Sequence, residues 1–272
     1  MPELPEVEAV ALDLREHLVG LTIMGATVHW QRTIARPATG EFEQQVIGRR
    51  IRSVSRRAKY VVIELDQGYL LIHLMMSGRL YIVPAEEPPH DHLRVVLNLD
   101  NGQEMRFQDT RKFGRFYLVD DPLEVTAGLG PEPLDEDFSV DDFRRQLARR
   151  KGRLKSLLLN QRFLAGLGNI YADEALFAAQ LHPLRRADSL TGAQQERLYE
   201  AIRAVLRGAV QGRGTTLSDG GYADTSGQAG TYQARLMVYG RDGDACLQCQ
   251  TPIERIVVGG RSSHYCPNCQ AK

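Results

Sequence analysis

The sequence predicts an α+β protein: an N-terminal β-sandwich with a leading helix, then a helical domain that ends in a cysteine-clasped β-hairpin. Three observations carry this. Eight short runs rich in β-branched and aromatic residues lie between 22 and 119, several joined by turn pairs such as Gln67-Gly68 and Asn101-Gly102. A stretch rich in acid, Pro and Gly at 122–133 then gives way to helical periodicity. Finally, the four cysteines form two C-x-x-C pairs near the end of the sequence. At 272 residues and 43% apolar, the chain has core enough for one large or two ordinary domains.

The leading element begins Met1-Pro2-Glu3-Leu4-Pro5-Glu6-Val7-Glu8. Pro5 suits the first turn of a helix, where its missing N–H costs nothing and its φ is already set. Val7, Ala11, Leu14 and Leu18 then mark one apolar face, and Gly20 supplies a stop. An initiator methionine before proline is normally clipped, which would leave Pro2 as a free secondary amine at the positive end of this helix. Such an amine titrates near pH 8, so a useful fraction is neutral and nucleophilic at pH 7. An adduct with a sugar C1′ has no N–H to lose and stays cationic, an electron sink, while Glu3 beside it suits proton shuttling. The same residues also fit an ordinary frayed terminus.

Runs at 22–30, 51–54, 60–66, 69–75, 80–83, 93–99, 104–108 and 115–119 read as strands, giving a first domain over 1–125. A linker is expected at 126–139, a helical domain at 140–235 and a metal hairpin at 236–272. Helices are expected at 140–150, 155–159, 170–180 and 192–211, with a turn at 166–169. Residues 219–231 carry Gly220, Gly221, Gly227 and Gly230 among Asp, Ser and Thr, and read as a long loop.

No apolar run approaches the length needed to span a bilayer, and the acidic start lacks the features of a secretory signal, so the expected location is cytoplasmic. The 34 basic and 34 acidic residues cancel, but they are segregated. Arg49, Arg50, Arg52, Arg56, Arg57 and Lys59 form one basic cluster, and Arg144, Arg145, Arg149, Arg150, Lys151, Arg153 and Lys155 another. Residues 120–142 hold acids and no Lys or Arg. Either basic cluster fits a phosphate-binding surface or a solvated face.

Cys246, Cys249, Cys266 and Cys269 place two thiolate pairs 16 residues apart, the spacing of a closed tetrahedral sulfur cage. Four protein ligands leave no open position, so the expectation is one structural Zn²⁺ and no organic cofactor. Two disulfides would need an oxidising compartment that nothing else suggests. Between the pairs, 253–258 and 261–265 flank Gly259-Gly260, a hairpin that the metal would stiffen so that Arg261 can be aimed.

Taken together, these motifs identify a resemblance. P-E-L-P-E-V-E at 2–8, R-R-A-K-Y at 56–60, H-L-M-M-S-G at 73–78, D-T-R-K-F-G at 109–114, G-L-G-N-I-Y-A-D-E at 166–174, G-T-T-L at 214–217 and the zinc hairpin resemble, in this order and over essentially the whole chain, the bacterial formamidopyrimidine-DNA glycosylases. The resemblance implies a monomeric bifunctional glycosylase/lyase of base excision repair acting on damaged double-stranded DNA, with oxidised purines as substrates. It implies that Pro2 attacks C1′, that Glu3 acts as acid/base, that Glu6 orders the site, and that Lys59 contacts the phosphates flanking the lesion. Met76, Arg111 and Phe113 would fill the gap left by the everted nucleotide, offsetting part of its lost stacking. Asn169, Lys155 and Arg261 would grip phosphates from a helix–two-turn–helix motif and the zinc hairpin.

The resemblance further implies that the loop bearing Thr215, Thr216, Leu217, Ser218, Tyr222 and Tyr232 covers the everted base, with backbone N–H groups between 215 and 222 reading a purine carbonyl. Ser218 stands where a basic residue is common, and Gly230-Thr231-Tyr232 where many members carry consecutive aromatics. Endonuclease VIII, the paralogous family for oxidised pyrimidines, usually has glycine where Leu4 stands and lacks the full set of Met76, Arg111 and Phe113, so these residues favour the purine enzyme. A zinc-containing protein that only binds damaged DNA is the alternative outside catalysis, and the presence of Pro2, Glu3 and Lys59 counts against it.

Overall fold

The residues from Glu3 to Val19 settle into one helix and its caps because the apolar spacing and proline placement agree. The computed structural model describes residues 1–217 and 221–271. Helix α1 (Leu4–Leu18) has Pro5 in its first turn and buries Val7, Val10, Ala11, Leu14 and Leu18, and the left-handed φ of +93° at Gly20 ends the run.

The chain then builds β1 (Ile23–Val28), β2 (Ile34–Arg36), α2 (Thr39–Val46), β3 (Ile51–Arg57), β4 (Tyr60–Leu65), β5 (Tyr69–His73), β6 (Gly78–Pro84), β7 (Leu93–Leu99), β8 (Gln103–Asp109) and β9 (Arg115–Val119). These form two sheets, ordered β1-β7-β8-β6 and β2-β9-β5-β4-β3. One core takes Leu97, Met105 and Phe107 from the first sheet, Ile63, Ile72 and Phe116 from the second, and the apolar face of α1. This is the expected β-sandwich. Alternation along β5 follows from the two-residue side-chain period: Leu70 and Ile72 join that core, while Leu71 packs with Val62 and Val119 on the other face. Neither α2 nor β2 is expected from the sequence. Phe42 and Val46 are the only buried residues of α2, too few to reveal a period.

After a single turn, α3 (Leu123–Thr126), come α4 (Val140–Leu147), α5 (Leu154–Leu158), α6 (Asn169–Ala178) and α7 (Gly192–Gln211), then the hairpin β10 (Glu254–Val258) and β11 (Arg261–Tyr265). Ser139 caps α4, accepting from the Asp142 N–H. Phe138, Phe143, Phe163 and Tyr199 interlock with ring centroids 5.9 to 6.5 Å apart.

The chain divides into two compact units, Met1–Ala127 with Gly212–Gln233, and Gly128–Gln211 with the residues from Ala234 on. This differs from the expected boundary at 235 and from a free linker over 126–139. The described residues of the Gly212–Gln233 segment, 212–217 and 221–233, form a strap on the β-sandwich. Its Tyr222 enters the sandwich core, and its Arg213 pairs with Asp13 of α1 at 2.6 Å. The described part of the expected long loop is therefore pinned by packing. Residues 130–135 are likewise tied into the second unit: Gly130 donates to the Gln161 carbonyl, and Arg203 donates to the carbonyls of Pro133 and Asp135.

Candidate functional site

The start of α1 places Pro2 and Glu3 in a buried setting, Glu3 being only 2% exposed. Glu3 occupies the N-cap position in extended backbone, and its N–H donates to Glu6 Oε2 at 2.7 Å. The other oxygen of Glu6 accepts the Thr215 N–H at 2.7 Å. One buried carboxylate thus joins the helix start to the strap. A β-carbon at Gly214, whose φ is +85°, would lie 2.8 Å from Glu6 Cγ, so this close approach needs glycine. Acids are well placed here because the first-turn N–H groups and the helix dipole present positive potential.

Lys59 lies at the β3–β4 turn, 5% exposed, after Ala58 in left-handed conformation (φ +54°). Its charge is felt by His73 on the neighbouring strand β5. Burial first, and Lys59 second, hold that imidazole down at about 4. His73 Nδ1 accepts the Met75 N–H at 3.0 Å, so the neutral ring carries its proton on Nε2. Arg56 of the same cluster pairs with Glu8 at 2.8 Å.

Met76 and Phe113, 37% and 47% exposed, are large apolar side chains presented to solvent. Exposure is the costly choice for such groups, and neither is the core residue that its type suggests. Arg111 Nη1 lies 3.2 Å from Met76 Sδ. Met76, Ser77, Arg79, Gln108, Thr110, Arg111 and Gly221 surround a cavity of about 450 Å³ in the first unit.

Among the described residues of the strap, two of the backbone donors expected to face a base are engaged within the protein. The Thr215 N–H is committed to Glu6, and the Thr216 N–H to Gln233 Oε1 at 3.3 Å. Thr216 Oγ1 donates to the Tyr222 carbonyl and accepts from the Gly230 N–H. Tyr222 is a core residue whose hydroxyl donates to the Arg213 carbonyl at 3.1 Å, and burial, then the charge of Glu6, raise its pKa. Tyr232 is also buried, and its N–H donates to the Gly214 carbonyl. Leu217 is half-buried, and Ser218 lies outside the described residues.

In the second unit Lys155 departs from the expected surface contact. It is fully buried, and its Nζ donates to Asp173 at 2.7 Å and to the Asn169 carbonyl at 2.8 Å. A lysine without solvent needs a paired carboxylate, and Asp173 meets that need while also accepting from Ser263 Oγ and the His264 N–H. Lys155 therefore braces the start of α6 from inside the fold. Asn169 opens α6, with Nδ2 donating to Ser262 at 3.3 Å and Oδ1 without a partner among the described residues. Arg261 stands exposed at the start of β11, after Gly259 and Gly260 with φ of +59° and +77°. Two consecutive left-handed residues define a tight hairpin whose twist matches its strands.

The four cysteine sulfurs all lie within 4.8 Å of one another. Recorded Sγ separations of 3.4, 3.5 and 3.9 Å bracket the roughly 3.8 Å edge of a tetrahedron with zinc–sulfur bonds of about 2.3 Å. Hydrogen bonds from Thr251 and Asn268 bring the Cys249 thiol down to about 5, while burial raises Cys266 and Cys269. A divalent cation resolves that crowding, so the donor set fits one structural zinc.

Three family models match in chain order: the formamidopyrimidine-DNA glycosylase N-terminal domain over 1–116, the H2TH domain of the same enzymes over 129–219, and a zinc finger found in FPG and IleRS over 243–272. The chain belongs to the formamidopyrimidine-DNA glycosylase family. A formamidopyrimidine-DNA glycosylase from Herpetosiphon aurantiacus is 48% identical over 275 residues, covering 100% of both chains. The crystal structure of the MutM (FPG) protein of Thermus thermophilus is 41% identical, with a TM-score of 0.90 over 100% of this chain and 99% of that one. A Lactococcus lactis FPG mutant in complex with a Fapy-dG containing DNA is 32% identical, with a TM-score of 0.93 and 100% coverage of both. No helix among the described residues is long and apolar enough to cross a membrane.

Sequence reasoning missed several supporting groups of this glycosylase site: Asp109, Asp173, Glu174 and the Asp13–Arg213 pair. Glu174 accepts the N–H groups of Met237, Val238 and Tyr239, fixing the entry to the zinc hairpin. Asp109, Asp173 and Glu174 sit inside matched motifs, and for Asp173 and Glu174 charge within the otherwise apolar stretch 170–178 is the signal that finds them.

Proposed function

We propose that this chain is a bifunctional DNA glycosylase and AP lyase of base excision repair, acting on oxidised purines in duplex DNA from an N-terminal Pro2 freed of Met1. The carrying observation is the buried Pro2–Glu3 pair at the start of α1, fixed through Glu6 to the strap. The helix terminus favours the neutral amine, and attack on C1′ expels the damaged base with its electron pair. Loss of the amine proton and protonation of O4′ break the C1′–O4′ bond and open the sugar ring to an iminium, which acidifies C2′; loss of that proton expels the 3′ phosphate, and loss of the C4′ proton in a second elimination expels the 5′ phosphate. Glu3 is assigned the proton transfers, and Lys59 the phosphates beside the lesion. Met76, Arg111 and Phe113 are assigned the gap in the duplex, where Arg111 can donate to the acceptors of an orphaned cytosine. Asn169 and Arg261 are assigned backbone phosphates. Cys246, Cys249, Cys266 and Cys269 would hold the zinc with four sulfurs and leave it no open position, so its part would be to stiffen the hairpin that carries Arg261. Leu4 with the complete Met76, Arg111 and Phe113 set supports purine over pyrimidine lesions, and the relative bound to Fapy-dG DNA supports it further. The enzyme is assigned to the cytoplasm, acting as a monomer.

Incubation with duplex DNA carrying one 8-oxoguanine opposite cytosine, followed by borohydride, should leave a covalent protein–DNA band. A form that keeps Met1 should give none. A band of equal strength from that form would sink the amine mechanism, and trapping only on an oxidised-pyrimidine duplex would move the substrate to the endonuclease VIII side.

A further inference from the structure

Asp109 ends β8 and is only 1% exposed, yet its carboxylate takes three donors from two different turns. Oδ1 accepts from Ser77 Oγ and from the Arg111 N–H at 3.1 Å, and Oδ2 accepts the Gly114 N–H at 2.8 Å. Ser77 closes the triangle, since its Oγ also accepts the Arg111 N–H at 3.1 Å. Ser77 adjoins Met76, and Arg111 and Gly114 bracket Phe113.

Packing repeats the connection. The Phe107 ring, buried in the sandwich core, sits against a glycine of each turn. A β-carbon at Gly78 would fall 2.7 Å from Phe107 Cε2, and one at Gly114 would fall 2.3 Å from Phe107 Cζ. Close approach on both sides leaves neither turn room to move alone. On the outer side Lys112, left-handed at φ +60°, places its Nζ 4.2 Å from the centre of the Trp30 ring.

We infer that Asp109 and Ser77 are positioning residues that lock the Met76 turn and the Arg111–Phe113 turn into one preformed body, so that both sides of the wedge enter a duplex together. This rests on the wedge role proposed above. Everting a stacked base costs a few kcal/mol, whereas an abasic site has no base to unstack. Loosening the wedge should therefore weigh more heavily on a duplex with a damaged base than on an abasic duplex.

The test compares S77A, S77T and D109N with the unmutated chain on an 8-oxoguanine duplex and an abasic duplex. S77A should lower the ratio of damaged-base to abasic-site cleavage about tenfold, less than the roughly hundredfold that a full 1 Å misplacement can cost, and S77T, which keeps the hydroxyl, should restore it. D109N should lower the ratio further, because an amide cannot accept from donors at both of its ends. Trp30 is the only tryptophan, so its emission in the free protein reads the loop without DNA. Both S77A and D109N should leave Trp30 more open to acrylamide quenching, with circular dichroism retained. An unaltered cleavage ratio in S77A overturns the inference, even where D109N fails to fold, and so does unaltered quenching in both variants. Failure of the glycosylase reading would show separately, as no cleavage of either duplex by the unmutated chain.

Discussion

At the residue scale, His73 shows how a site tunes itself by burial. Its imidazole is held at about 4, against an ordinary value near 6.5, by desolvation and then by Lys59. The folded state thus binds the proton less tightly than the unfolded chain. Stability from this group is complete above pH 6.5, declines as pH falls, and is lost by about pH 4, a difference of up to about 3 kcal/mol. Urea unfolding followed from pH 7 to pH 4 should show that slope, and His73→Gln should flatten it over the same window. An unchanged slope in the variant would place the acid sensitivity elsewhere. Tyr60, stacked edge-on at 4.6 Å and raised to about 12 by burial, stays neutral throughout this window.

At the element scale, the zinc hairpin is a separable device. Its strands β10 and β11 pair over five residues, and its own small core is Val238, Ile253, Cys246 and Cys266 with Phe177 of α6. So short a segment depends on its metal for rigidity. Chelation of zinc, or Cys249→Ala, should abolish DNA binding in a gel-shift assay while the β-sandwich keeps its circular dichroism, and global unfolding would refute this. Elements with strong local signals were legible in the sequence: α1 from its apolar spacing, β4 and β5 from β-rich runs on either side of the Gln67-Gly68 turn, and the hairpin from Cys spacing and Gly259-Gly260. What stayed hidden was non-local. The burial of Lys155 depends on Asp173 coming to meet it from 18 residues away, and the Glu6–Thr215 bond spans 209, separations about which local pattern says nothing. The resemblance assigned roles to Met76, Arg111 and Phe113 but none to Asp109, although Asp109 opens the D-T-R-K-F-G motif, because its hydrogen bonds to Ser77 and Gly114 appear only in the fold.

For the whole molecule, a net charge of zero is misleading, since binding to a polyanion answers to local charge. Affinity for duplex DNA should fall steeply with salt, with a log–log slope of about −4 or steeper if four or more phosphates are neutralised. Arg261→Ala should make that slope shallower by roughly one. Fluorescence anisotropy across a salt series measures both, and a flat response would deny a phosphate-binding face. The strap has a kinetic corollary. Unit one is written in two instalments, with 84 residues of the other unit, Gly128–Gln211, read between them. A ribosome that has finished the β-strands has therefore not yet made Tyr222, Arg213 or the N–H that Glu6 awaits. The sandwich has to wait, with its Tyr222 slot open to water, for a contact of very long sequence separation, which is slow and prone to aggregation. Nascent chains stalled before residue 212 should thus be the species that chaperones and proteases meet most often.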